Sequence, residues 1–301
     1  MSTQPIQARP LGEPRKPSRA NIVRRQASDY IVSGLTILAT VLVLAPLAAI
    51  LFYLLYKGAS SLNLAFFTHI PAPVGEQGGG MANAIVGSAI VLAVASLMGI
   101  PVGIAAGIYL AEFGRETFLG NAVRFTADVL NGVPSIVMGI AVYSLVVRPH
   151  PPYSAFAGGV ALAIMMIPTI TRTTEEMLST VPHAIREAAL GLGVPKWRTA
   201  VSVSLRTASP GIITGCMLAF ARVAGETAPL LFTAFGNQFW SFRLDQPIAA
   251  LPLQIYAYAI SPYDEWHRLA WAGALVLIAL IMISVTLVRI FADRGMLKGG
   301  S

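Results

Sequence analysis

The run Phe220-Ala221-Arg222-Val223-Ala224-Gly225-Glu226-Thr227-Ala228-Pro229 sets an arginine and a glutamate inside a stretch that is otherwise apolar and small. Arg222 falls thirteen residues after Ser209, where the apolar run begins. At 1.5 Å per residue this is about 20 Å along a helix, near mid-bilayer. A charge at that depth costs at least ~2.5–3.5 kcal/mol on insertion scales, which excludes exposure to lipid. Two destinations remain for it, a buried ion pair or the lining of a polar pathway. Glu226 stands one turn later on the same helical face, so the two can pair, although arginine before glutamate is the weaker order. Gly225 and Pro229 flank the glutamate and are expected to unwind the helix there, freeing backbone groups. Arginine donates several hydrogen bonds from a planar fork and stays charged, which suits phosphate or carboxylate. Arg172, at the end of another apolar run, reads either as a headgroup anchor or as a second ligand for such an anion.

The elements that hold these charges follow from composition. Of 301 residues, 55% are hydrophobic and 12% charged, about half the charge of a soluble domain. The mean hydropathy is +0.68. A soluble enzyme is therefore excluded, and about 20 apolar residues per crossing becomes the unit of length. Apolar runs cover Ile31 to Tyr56, Ala84 to Ala111, Val129 to Val147, Ala155 to Thr171, Ser209 to Phe235, and Leu269 to Ile290. They predict an all-α membrane protein, a six-span transmembrane helix bundle occupying residues 30–292. Residues 1–29, rich in Pro, Arg, Ser and Gln, read as a disordered cytoplasmic tail, and 293–301 as a short cytoplasmic tail. The first apolar run reads as a retained span rather than a signal peptide.

Placing the N-terminus inside puts most of the 21 basic residues on the cytoplasmic side, so both termini are expected there. The same bias accounts for the net charge of +7 without nucleic acid. Cys216 is the sole cysteine and the four histidines are scattered, a pattern that offers no metal cluster. Within the spans, Ala95, Gly99, Gly103, Gly107 and Ala111 recur every four residues and make a ridge for close helix packing. Pro101 is expected to bend that helix. Asn131-Gly132-Val133-Pro134-Ser135 interrupts the third span with polar groups, tolerated only where protein or a watery cavity covers them.

The second concentration of chemistry is the stretch 172–207. Thr173-Thr174-Glu175-Glu176 reads as a helix start. His183 to Leu190 then reads as one short helix, Gly191 to Pro195 as a turn, and a second short helix begins near Trp197. An amphipathic helix–turn–helix with an exposed tryptophan suits docking of a partner.

Glu187-Ala188-Ala189 followed by Gly193 resembles the EAA loop of ABC-importer permeases. Val203 and Leu205 continue the pattern, and Arg206 departs from it where proline is common. Asn131 through Val137, Arg172 through Glu176, and Arg222 through Thr233 together resemble the phosphate-importer permeases of the PstA type. The resemblance runs over nearly the whole chain outside the first tail.

It implies a permease subunit that carries inorganic phosphate inward, with Arg222, Glu226, Arg172, Thr227, Asn131 and Ser135 along the pathway. Glu187, Ala188, Ala189, Gly193 and Trp197 would couple it to an ATPase dimer. The other implied partners are a sister permease of the PstC type and an external phosphate-binding protein, in a bacterial inner membrane. No G-x-x-x-x-G-K-[ST] run is present, so no cofactor is expected on this chain, and ATP and magnesium would belong to the partner ATPase. The residues alone leave two alternatives open, a permease for another oxyanion and a secondary anion transporter or channel. The external stretch Gly236 to Arg268 is rich in Phe, Tyr and Trp and reads as an aromatic belt or a contact for the binding protein.

Overall fold

The computed structural model describes residues 19–73, 76, 78–150 and 152–298. The chain divides into two compact units, Met1–Tyr53 and Leu54–Ser301. In the first, residues 19–53 belong to one helix, α1, Arg19–Ala59. From Ile31 onward its apolar side chains leave no polar face, as a lipid-facing span requires. Helix begins at Arg19, so 19–29 are helical rather than disordered: Arg, Gln and Ala favour helix and extend it past the apolar run. The rest of the expected tail, 1–18, lies outside the described residues.

The second unit holds the end of α1 and eleven further α-helices. They are α2 (Leu64–Thr68), α3 (Ala82–Ile108), α4 (Phe118–Gly132), α5 (Ser135–Val142), α6 (Ala155–Ser179), α7 (His183–Gly191), α8 (Lys196–Thr199), α9 (Leu205–Ala224), α10 (Ala228–Thr233), α11 (Leu251–Ala259) and α12 (Asp264–Lys298). Widened π-helical turns extend α3 over Tyr109–Phe113 and α5 over Tyr143–Val147, and join α8 to α9 over Ala200–Ser204. Among the described residues no β-ladder forms, and a lone parallel bridge links Phe235 to Ile248. Five helices are long and apolar enough to cross a membrane, or six if α4 and α5 count as one broken span. The chain is a multi-span helical membrane protein.

Helix α6 is the axis: α3, α4, α5, α9 and α10 all pack on it. The small-residue ridge of α3 meets it directly. A methyl at Gly103 would stand 2.7 Å from Ile170 Cβ, and one at Gly99 would stand 3.1 Å from Met166 Cβ. Ala95, Met166 and Ile170 are fully buried along this seam. Pro101 sits inside a helix that continues on both sides of it. Two turns further along the same side of α6, methyls at Gly211 and Gly215 of α9 would meet Met177 and Thr173, which fixes an antiparallel register.

Several expected boundaries move. The third span is a helix from Phe118 to Gly132 that turns by 108° into Ser135–Val147. Val133 precedes proline and is extended at φ −72°, ψ 131°, and Pro134 has no N–H to donate, so the helix stops and restarts. Thr173-Thr174-Glu175-Glu176 does not start a helix but lies inside α6, which runs to Ser179. Trp197 does begin a short helix, yet Lys196–Ala224 is one continuous 29-residue helix, so no gap separates the second short helix from the fifth span. That span ends at Ala224 rather than Phe235. Helix α12 continues to Lys298, through the expected second tail. The aromatic stretch is partly interior: Tyr258 of α11 is buried and stacks on Trp266 at 4.6 Å, whereas Phe239, Trp240 and Phe242 are exposed.

Replacing Gly103 with leucine is expected to force α3 off α6 and destabilise the protein by about 1–3 kcal/mol, lowering its melting temperature by about 3–10 °C. Gly132→Ala, where nothing lies within 4 Å, serves as the control in a thermal-shift measurement on the detergent-solubilised protein.

Candidate functional site

On α4, Arg124, Asp128 and Asn131 stand at i, i+4 and i+7 and share one face. On α6, Thr169, Arg172 and Glu175 repeat every three residues. The antiparallel helices bring these faces together rung by rung. Thr169 Oγ1 donates to Asn131 Oδ1 at 3.2 Å. Arg172 donates from Nε and Nη2 to the two oxygens of Asp128, each at 2.9 Å, and from Nη1 to Glu175 at 3.0 Å. Arg124 Nε closes the stack on the other oxygen of Glu175 at 2.6 Å. Its remaining donors reach the carbonyls of Leu110, Gly114 and Arg115 and the Asn121 side chain at 3.1–3.3 Å.

The charge balance of this stack is decisive. Two arginines face two carboxylates, so the cluster is neutral, and the bidentate edge of Arg172 is held by Asp128. Arg172 is therefore a member of an ion-pair ladder and not a headgroup anchor. Its side chain is 34% exposed and that of Asp128 53%, so the carboxylate stands between the guanidinium and the open face.

Arg222 is in a different situation. It occupies the last turn of α9, where the helix dipole favours a cation. The helix ends at Gly225, the Glu226 N–H turns back to the Val223 carbonyl at 3.1 Å, and α10 restarts with Pro229 in its first turn. The expected unwinding around Gly225 is thus present. It also defeats the expected Arg222–Glu226 pairing, because one-turn spacing brings side chains together only in unbroken helix. The two form no ion pair, and among the described residues Arg222 has no carboxylate partner within 4 Å. Arg222 is exposed, Glu226 and Thr227 half-buried.

Arg222 follows Gly215 by two turns on the stripe of α9 that meets α6. Extending the antiparallel register carries it about one turn, roughly 5 Å, beyond the level of Thr169. In level along the bundle the order is then Arg124–Glu175, Arg172–Asp128, Thr169–Asn131 and Arg222. Ser135 starts α5 just past the bend, and α5 rests on α10, where a methyl at Gly139 would be 2.6 Å from Pro229 Cα.

In the EAA-type segment, Glu187 and Ala188 face outward and Ala189 is buried. Gly193 takes φ +80°. Its N–H bonds the Leu190 carbonyl at 2.9 Å and that of Val194 bonds Ala189 at 3.2 Å, the Schellman arrangement that ends a helix through a left-handed residue. The turn presents Leu192 at 85% and Trp197 at 63% exposure, beside exposed Ile185 and Leu190.

Sequence reasoning missed Asp128, Arg124, Glu175 and Thr169. The first two carry a readable signal, one-turn spacing on an amphipathic face, but they precede the apolar run that begins at Val129. Glu175 and Thr169 show their role only once α4 is laid against α6. Arg186, also missed, is tied to Glu112 at 3.0 Å.

The chain is thus a multi-span membrane bundle with a polar ladder on one face and an exposed helix–turn–helix between α6 and α9. The family described as binding-protein-dependent transport system inner membrane component matches residues 99–295, and the chain belongs to that family. It is 48% identical to the phosphate transport system permease protein PstA of Yersinia pestis, over 81% of this chain and 83% of that protein. It is 44% identical to the protein of the same name from Haemophilus influenzae, over 89% and 93%. Among solved structures it resembles an inward-facing MetNI methionine ABC transporter, with TM-score 0.54 and 18% identity over 72% of this chain and 96% of that chain. A bacterial alginate ABC transporter gives TM-score 0.56 and 12% identity over 90% and 95%. These two likenesses establish the fold.

Removing one member of the ladder strands a charge, whereas removing two removes the demand. Arg172→Gln and Asp128→Asn are each expected to lower thermal stability, and the double variant to lie closer to the parent than the sum of the singles, by about 0.5–1 kcal/mol. A double-mutant cycle in melting experiments measures the coupling.

Proposed function

We propose that the chain is the permease subunit that carries inorganic phosphate across a bacterial inner membrane in an ATP-driven importer. The observation that carries this reading is Arg222, a cation without a carboxylate partner on an open face within the spans, in a chain whose relatives are named phosphate transport system permeases. Asp128, Asn131, Arg172 and Arg222 cannot face lipid without a large penalty. Another chain must cover them, and a sister permease subunit of the PstC type fits that place. The pathway then runs between the two subunits, along the ladder.

A phosphate entering this space loses water and needs replacement donors. Arg222 offers charge and a fork of N–H groups that no carboxylate occupies. Arg172 is available only if Asp128 releases it, so Arg222 is the primary contact and Arg172 a conditional one. Glu226 and Thr227 flank the break beside Arg222, and Asn131 and Ser135 flank the bend in the third span. Both places present polar groups where the helices stop.

The distribution of Lys and Arg supports cytoplasmic termini. The EAA-type segment then lies in the cytoplasm, with Leu192 and Trp197 exposed for insertion into a cleft of the ATPase dimer. An external binding protein delivers phosphate from the opposite side. ATP and magnesium bind the ATPase, and this chain contributes the path and the docking loop.

In proteoliposomes holding the assembled complex and binding protein, Arg222→Gln is expected to lower labelled-phosphate uptake about 10- to 100-fold, the loss of one charge-assisted contact. Wild-type uptake by that variant would remove Arg222 from the pathway. Faster uptake of sulfate than phosphate by the parent complex would point to another oxyanion, and uptake without the ATPase to a secondary transporter.

Gly193→Val places a branched side chain at a left-handed position, at a cost of about 1–2 kcal/mol. Co-purification with the ATPase is expected to fall up to about tenfold, and Gly193→Asn to fall less, because asparagine tolerates that conformation.

A further inference from the structure

Arg186 is the residue just before the exposed Glu187, yet it points the other way and is buried. Its side chain is 9% exposed and that of Glu112 8%. Each nitrogen of the guanidinium has an acceptor. Nε donates to Glu112 Oε1 at 3.0 Å and to Ser204 Oγ at 3.3 Å, Nη1 to the Val181 carbonyl at 2.9 Å, and Nη2 to the Leu178 carbonyl at 2.5 Å. One side chain thus holds the end of α6, the turn before α7, and two π-helical turns.

Those π-turns are informative. Such widening is uncommon and tends to occur at functional sites, and here two of the three π-turns present a side chain to the same arginine, Glu112 from Tyr109–Phe113 and Ser204 from Ala200–Ser204. The first turn receives further contacts. Lys196 Nζ of α8 stands 5.1 Å from the centre of the Phe113 ring. From the other side, Arg124 donates to the carbonyls of Leu110 and Gly114 while its Nε holds Glu175, which also binds Arg172.

We propose that the π-helical turn Tyr109–Phe113 is the junction that transmits the position of the docking loop to the ladder on the pathway face, with Arg186 and Glu112 as the positioning pair. The connection runs from Arg186 to Glu112, through the turn's backbone to Arg124, then through Glu175 to Arg172 and Asp128. A motion of α7 imposed from outside moves α3 with it, because the buried pair has no water to exchange with. The same motion shifts the carbonyls that hold Arg124, and so biases the grip of Asp128 on Arg172. Neither Arg186 nor Glu112 touches the substrate. The inference rests on the permease reading for the meaning of the far end, but the mechanical link is independent of what is carried.

Glu112→Gln keeps the size and the acceptor and removes the charge. In the full complex, with binding protein, it is expected to leave stimulated ATP hydrolysis within about twofold of the parent while phosphate uptake per ATP falls about fivefold or more. Spin labels at Ala184→Cys on α7 and Leu97→Cys on α3, in a Cys216→Ala background, are expected to keep a fixed separation with and without nucleotide. In Glu112→Gln that separation is expected to become nucleotide-dependent. Phe113→Leu, which removes only the contact with Lys196, and Ser204→Ala carry the same test if Glu112→Gln does not assemble. Hydrolysis and uptake falling in proportion with the label distance unchanged would reduce the pair to a brace, and unchanged values throughout would overturn the proposal. A parent complex that takes up no phosphate would sink the phosphate reading alone, since the label distances are measured without substrate.

Discussion

Glycines of two neighbouring helices press close against one side of α6. Gly99 and Gly103 of α3 bring backbone against Met166 and Ile170, and Gly211 and Gly215 of α9 do the same against Met177 and Thr173. In lipid there is no hydrophobic gain from pairing two apolar helices, so close van der Waals contact along small residues supplies the attraction. Once α6 is fixed on this side, the side that carries Thr169, Arg172 and Glu175 points away from the glycines and receives α4. The glycines thus set which side of α6 turns inward and which is left to meet α4.

The charges obey one rule throughout the bundle: each is matched, set at a terminus, or left on a face that cannot meet lipid. Arg186 is fully matched and buried. Arg124 and Arg172 are matched by Glu175 and Asp128 in a half-open setting, where exchange of partners is easier because water reaches the pair. Arg222 is left with a helix C-terminus as its only local compensation. This gradation separates a fully satisfied Arg186, a paired but half-open Arg172 and an Arg222 free of carboxylates more sharply than the presence of three arginines does.

Much of this was legible in the sequence, because period and composition report local energetics. The apolar runs, the small-residue ridge, the broken helix at Gly225 and the exposed Trp197 all follow from a few residues and their spacing. Partnerships between distant segments were not legible. The i, i+4 spacing of Arg222 and Glu226 suggested a pair, but the glycine between them ends the helix and the geometry that made the spacing meaningful. Arg172 gave no sign of Asp128, 44 residues earlier. Helix α4 itself was hidden, since its amphipathic face lowers its mean hydropathy below that of a span and its polar residues looked like loop.

Departures from regular helix are concentrated where the polar residues are. The bend at Val133–Pro134 follows Asn131, the break at Gly225 separates Arg222 from Glu226, and two of the three π-turns supply Glu112 and Ser204 to Arg186. Regular helix satisfies its own backbone and offers neighbours only side chains, whereas each interruption frees carbonyls and N–H groups that must find partners. Leu110, Gly114 and Arg115 give theirs to Arg124, and Leu178 and Val181 give theirs to Arg186. An arginine is the one side chain with enough donors to satisfy several such carbonyls at once. The same chemistry that holds the irregular backbone together therefore ties α7 to the turn at Tyr109–Phe113 and that turn to the ladder, and a bundle of uninterrupted helices would have nothing with which to join them.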